Sequence, residues 1–169
     1  MDSRLFLALW PDEASRRRFY ALGGRLVPDC GGRRMAVDKL HLTLAFLGPV
    51  AEAQRLALQQ ALARVVPTEG VLRLDRLGYW QPGIIWLGME TVPDFLAEQA
   101  AALRTVLDGC GVDYDRKPFK AHVTLLRQAA RPARWPAFSP LVWQARGFCL
   151  VESRPGEPGS PYRVLQHFG

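Results

Sequence analysis

The sequence predicts an α+β protein whose strands pair mainly antiparallel, with helices packed outside two sheets. Three observations lead there. Short apolar runs bounded by proline and glycine recur along the 169 residues, as strands require. Three longer stretches repeat leucine or phenylalanine at helical spacing. Neighbouring strands are mostly hairpin-like, which favours antiparallel pairing over a doubly wound parallel sheet.

In chain order, RLFLALW at 4–10 is an apolar run stopped by Pro11 and reads as a buried strand. It follows an acidic rather than a basic start, so it is expected to be the first strand and not a signal peptide. Asp12 is placed to cap a helix in which Phe19, Leu22 and Leu26 recur on one side. Pro28 and Gly31-Gly32 are expected to break it. LHLTLAFL at 40–47 is a strand that Gly48-Pro49 should stop. A helix over about 52–66 carries Leu58, Leu62 and Val65 on one face. Val71, Leu72, Leu74 and Leu77 mark the next strand, and Gln81-Pro82-Gly83 turns it into IIWLGME at 84–90. Pro93 opens a helix that runs to Gly109 or Gly111, with Leu96, Ala100, Leu103 and Leu107 inward. AHVTLLR at 121–127, GFCLVES at 147–153 and YRVLQHF at 162–168 complete the strands. The turn-rich RPGEPGSP between the last two is the candidate for a mobile lid.

Each half of the chain therefore carries one His-x-Thr strand after a helix, a loose internal duplication. The length suits a single two-lobed domain spanning residues 1–169. Apolar residues make up 49% and no apolar run approaches a membrane span. Cys30, Cys110 and Cys149 are widely spaced with no C-x-x-C pair, which argues against a disulfide framework or a zinc knuckle and suits a cytoplasmic protein. The net charge of +6 is carried almost wholly by arginine, whose guanidinium grips phosphate at two points. The run Arg16-Arg17-Arg18 is read as a solvated helix face.

The informative feature is a repeat. HLTLAFLG begins at His41 and HVTLLR at His122, although the chain owns three histidines and five threonines. Strand side chains alternate, so His41, Thr43 and Ala45 should share one face, with Leu42, Leu44 and Phe46 on the other. Likewise His122, Thr124 and Leu126 should oppose Val123 and Leu125. Each strand thus offers an imidazole and a hydroxyl to one side. Imidazole gives or takes a proton near neutrality, so two of them flanking a phosphorus atom form a general acid and a general base. Hydroxyls and a guanidinium would hold the non-bridging oxygens. Arg127 is the obvious guanidinium, although strict alternation turns it away from His122, which a twist or bulge at the strand end would correct. Metal binding is disfavoured, because zinc or iron takes three or four protein ligands and no acid or cysteine accompanies either motif. His167, in the last strand, reads as a partly exposed structural residue.

Together HLTLAFLG and FKAHVTLLR resemble the two-histidine phosphoesterase superfamily, in particular its bacterial RNA 2',3'-cyclic phosphodiesterase branch, long called 2'-5' RNA ligase. Ala121 departs from the proline that many members carry before the second histidine. The resemblance implies a bilobed fold with pseudo-twofold symmetry and an active cleft between the lobes. It implies hydrolysis of an RNA 2',3'-cyclic phosphate end to a 2'-phosphate, with reverse 2'-5' joining as the same proton transfers run backwards. In it His41 is the proton donor to the 3'-oxygen and His122 the base that activates water. Thr43 and Thr124 bond phosphate oxygens, Arg127 braces the phosphate, and no metal or nucleotide cofactor is expected. Tyr79, Trp80, Phe119 and Tyr162 are candidates for stacking on a terminal base, and Arg33, Arg34, Lys117 and Lys120 for flanking phosphates. The alternatives are an RNA-end-binding module without turnover, or the same chemistry on a 2'-5' oligonucleotide or small cyclic nucleotide. A monomer is the default.

Overall fold

A computed structural model describes residues 3–156 and 161–169. Residues 157–160, in the middle of the expected lid, lie outside the described residues. The chain runs β1 (Ser3–Leu9), α1 (Glu13–Cys30), β2 (Arg33–Arg34), β3 (Leu42–Val50), α2 (Glu52–Leu62), β4 (Glu69–Leu74), β5 (Arg76–Trp80) and β6 (Ile84–Gly88). It continues with α3 (Asp94–Gly109), β7 (His122–Arg127), β8 (Leu141–Arg146), β9 (Phe148–Ser153) and β10 (Tyr162–Phe168). Eight strands form one sheet in the order β10-β9-β1-β3-β7-β6-β5, with β2 also on β7, and β4 pairs with β8 in a second, two-stranded sheet. All these pairs are antiparallel.

The large sheet is two half-sheets that touch at one point. β10-β9-β1-β3 forms one lobe and β7-β6-β5 the other, and the sole register pair between them is Leu42 with Val123. The helices cross over: α1, which follows β1, packs on β7, and α3, which follows β6, packs on β3. Leu42, Leu44, Val123 and Leu125 all point into that helix-covered core at 1% exposure or less. Their burial is what forces the alternating polar residues to the opposite face.

Local chemistry explains most element ends. Asp12 caps α1 by accepting from Ser15 N (3.3 Å) and Ser15 Oγ (2.6 Å), and this bonding lowers its pKa. Three expectations need correction. Pro28 lies inside α1, which runs on to Cys30 before Gly31 turns at φ 63; in the final turn a proline forfeits a single helical bond. Nor do Gly48-Pro49 end β3, which continues to Val50 by bulging at Leu47, with Gly48 at φ 73. The run through 71–77 is two strands, β4 and β5, which enter different sheets. LVWQAR at 141–146 is a strand that the sequence reading passed over; its Trp143 packs edge-on to Phe19 at 5.8 Å.

Candidate active site

The register between the lobes builds the site. With Leu42 opposite Val123 in antiparallel strands, His41 comes level with Thr124, and Thr43 with His122. A local twofold axis therefore passes between the two buried residues, and the four polar side chains surround it on the open face. All four line one cleft of ≈ 150 Å³ with Arg127, Lys39, Phe46 and Tyr162.

Arg127 reaches this cleft through a bulge. Ile85 and Trp86 are consecutive on β6, yet they pair with Leu126 and Thr124, leaving Leu125 as an extra residue in β7. One extra residue reverses the alternation beyond it, so Arg127 shares the face of His122 and Thr124. β3 has the matching irregularity. Leu7 and Ala8 pair with Ala45 and Thr43, which leaves Leu44 as the extra residue. Phe46 is therefore turned into the cleft, against the expectation that it joins the core face, and is 43% exposed. Ala45 and Leu126, expected beside the polar pairs, are buried instead. Phe46 and Arg127, each five residues after its histidine, are symmetry mates of opposite chemistry.

The imidazoles are held in one tautomer. His41 Nδ1 lies 2.7 Å from Lys39 O, and His122 Nδ1 lies 2.7 Å from Lys120 O. A carbonyl only accepts, so each Nδ1 carries a hydrogen and each Nε2 holds the lone pair when the ring is neutral. His41 Nε2 is 3.0 Å from Thr43 Oγ1; when the ring is neutral the hydroxyl donates. These contacts reveal a signal the sequence reading missed. The repeat is Lys-x-His-x-Thr-Leu, beginning at Lys39 and Lys120.

The two rings have different surroundings. His41 is enclosed by Phe6 (4.8 Å between centroids), Trp10 (5.7 Å, stacked) and Tyr162 (5.3 Å, edge-on). His122 meets the edge of Trp80 at 4.5 Å, and Trp80 in turn rests on Trp86, for which Gly78 leaves room that a Cβ would take. Burial pushes the His41 pKa down to about 4, and the charges of His122, Arg127 and Arg16 push the same way. The His122 pKa is lowered too, first by burial and then by Arg127 and Lys120.

This depression has a stability consequence. His41 titrates near 6.5 when unfolded and near 4 when folded, so between those values the unfolded chain binds more protons. Its contribution is whole above pH 6.5 and is lost as pH falls towards 4. A His41→Gln variant is expected to lose about 1–2 kcal/mol less stability than the parent between pH 7 and pH 5, as read by urea unfolding at the two pH values. Equal losses would mean that the ring is not buried as described.

The remaining candidates divide. Tyr162 lines the cleft, whereas Trp80, Phe119, Lys117 and Lys120 line a second pocket that opens from it. Arg33 lines a third with Arg127. Tyr79 packs on the core. Arg34 is committed to α1: it stacks on Tyr20 at 3.3 Å and its Nε donates to Tyr20 O at 3.0 Å. Arg16 is not on a solvated face either. Its guanidinium lies 4.4 Å from the Trp10 ring, half-buried, which lowers its pKa. His167 is exposed, and Cys30 and Cys149 are buried free thiols.

A model of the 2'-5' RNA ligase superfamily matches residues 10–157. The chain is 35% identical to the RNA 2',3'-cyclic phosphodiesterase of Escherichia coli, over 79% of this chain and 76% of that protein. It is 33% identical to the protein of that name from Thermus thermophilus, over 98% and 89%. The crystal structure of Escherichia coli LigT complexed with 3'-AMP superimposes with a TM-score of 0.89 at 31% identity, covering 99% of this chain and 98% of that one. On its sequence and its fold, this chain belongs to the 2'-5' RNA ligase superfamily.

Proposed function

We propose that the chain hydrolyses RNA 2',3'-cyclic phosphate ends to 2'-phosphomonoesters, with His41 as general acid and His122 as general base. One observation supports this reading: across the Leu42–Val123 register, His41, Thr43, His122, Thr124 and Arg127 line a single cleft. The relatives' shared name supports the substrate class.

In this mechanism His122 Nε2 accepts a proton from water as its oxygen attacks phosphorus. The P–O3' bond breaks on the opposite side, and His41 Nε2–H delivers its proton to the departing oxygen. The more enclosed ring makes the stronger acid, which suits His41 to protonating an alkoxide. Thr124 and Arg127 hold the non-bridging oxygens as charge builds. Thr43 serves twice. Once His41 is protonated, Nε2 becomes a donor to Oγ1, and the threonine hydrogen is released to a phosphate oxygen.

With a pKa near 4, only about one His41 in a thousand carries a proton at pH 7 without substrate. The phosphodiester anion supplies the missing counter-charge and raises both imidazole pKa values. Profiles of kcat/KM report the free enzyme and those of kcat the complex. Both limbs of the kcat profile are therefore expected at higher pH than those of kcat/KM. Coincident limbs would contradict the substrate-made acid. The reading itself is tested by incubating the protein with an RNA ending in a 2',3'-cyclic phosphate. Phosphate retained on the 2'-oxygen is expected; a 3'-phosphate, or no product, rejects it.

Among the described residues no helix is long and apolar enough to cross a membrane. Two buried free thiols support a cytoplasmic setting. Because each lobe is roofed by the helix that follows a strand of the other, the lobes fold as one domain in this reading.

A further inference from the structure

The third pocket has a volume of ≈ 480 Å³ and meets the cleft at Arg127, which lines both. Arg127 lies beyond Thr124 on β7, and Thr124 is level with His41 across the Leu42–Val123 pair. The pocket therefore adjoins the His41 end of the cleft. β2 supplies a second guanidinium. Arg33 is the register partner of Arg127, and residues directly opposite in antiparallel strands set their side chains on one face, about 5 Å apart at Cβ. Arg34, one residue on, turns the other way to Tyr20, as alternation requires. Gly32, at φ 83, lets the chain run this close to β7, since a Cβ there would lie 2.5 Å from Arg127 O.

Like charges directly opposite each other destabilise a strand pair, and no carboxylate among the described residues offsets this one. Neither Arg33 nor Arg127 forms an ion pair there, and no acidic residue lines the pocket. Gln128 adds a neutral amide, on backbone at φ 53, the one non-glycine residue described with a positive φ. Two guanidinium groups turned to one side without a counter-charge make a site for a phosphate anion.

We infer that this pocket holds the phosphodiester on the 5' side of the terminal nucleotide, between Arg33 and Arg127, so that the enzyme selects the end of an RNA chain over a free cyclic mononucleotide. The inference rests on the reading above, in which His41 protonates the 3'-oxygen. That oxygen belongs to the terminal ribose, so the ribose lies at the His41 end and its 5' carbon leads the chain out past Arg127. Arg127 stands between the two phosphates, and Arg33 serves only the outer one.

Three substrates separate these contributions: adenosine 2',3'-cyclic phosphate, the same compound carrying a 5'-phosphate, and the dinucleotide ApA ending in a 2',3'-cyclic phosphate. In the wild type, kcat/KM is expected to be about ten-fold higher for the second and third than for the first. The gain should lie mostly in KM, because the outer contact is the same in ground and transition states. Arg33→Gln, at an exposed position, should leave the first substrate within about two-fold and remove most of the gain on the others. The wild-type gain should also shrink as salt rises. A wild type that treats the three alike, or a variant that slows all three equally, overturns the inference. So does a gain from the 5'-phosphate monoester with none from the dinucleotide, which would make the pocket a site for free nucleotides. If none of the three is hydrolysed, the phosphodiesterase reading fails and binding decides the pocket. Adenosine 2',5'-bisphosphate is then expected to bind the wild type about ten-fold tighter than adenosine 2'-phosphate, and Arg33→Gln to bind the two alike. Equal affinities in the wild type would overturn the pocket as well.

Discussion

His122→Ala is expected to lower kcat for a nucleoside 2',3'-cyclic phosphate by about 10²–10⁴-fold, the usual contribution of a positioned acid or base. His41→Ala should lose a similar factor on that substrate. Both rings line the cleft, on the side of the sheet opposite the helix-covered core, so both variants should fold. The two losses separate when the leaving group changes. A nitrophenyl phosphodiester expels an anion that needs no proton, so His41→Ala should recover most of its rate there. His122→Ala should not, because water still needs its base. Recovery by His122→Ala instead would invert the assignment; recovery by neither would mean that the rings act together as phosphate binders.

Arg127→Ala is the second large effect, expected at about 10²–10³-fold in kcat, the scale for removing one donor aimed at developing charge. Arg127→Lys should restore only part of it, since an ammonium cannot reproduce the two-point grip of the guanidinium. A second readout distinguishes a charge role from packing. Arg127 is one of the charges that depress the pKa of both histidines. Removing it should raise both values, moving the limbs of the kcat/KM profile to higher pH. A slow variant with an unshifted profile would make Arg127 a structural residue.

Much of this site is legible one strand at a time. Alternation alone puts His41 with Thr43 and His122 with Thr124 on polar faces, and the structure keeps both pairs there. The helix faces were equally plain: Leu58, Leu62, Leu96, Ala100, Leu103 and Leu107 are all buried. Periodicity failed at Leu44 and Leu125. A bulge is a mismatch in count between two paired strands, and neither strand's own residues record it. Phe46 was lost to the core face for that reason, and Arg127 needed an irregularity that nothing local specified. Arg16 and Arg34 failed for another reason. Each is polar in composition, but the Trp10 and Tyr20 rings they cover belong to contacts that appear only on folding.

The three helices with their inward faces and the doubled histidine–threonine pairs were determined by the sequence itself, because each depends on residues a few positions apart. The tertiary structure alone decided that 81 residues of separation would close to one pair, Leu42 against Val123. It also decided that paired bulges would set Arg127 and Phe46 on opposite flanks. Register and bulges are properties of two strands at once, chosen by which leucines the helices of the opposite lobe bury.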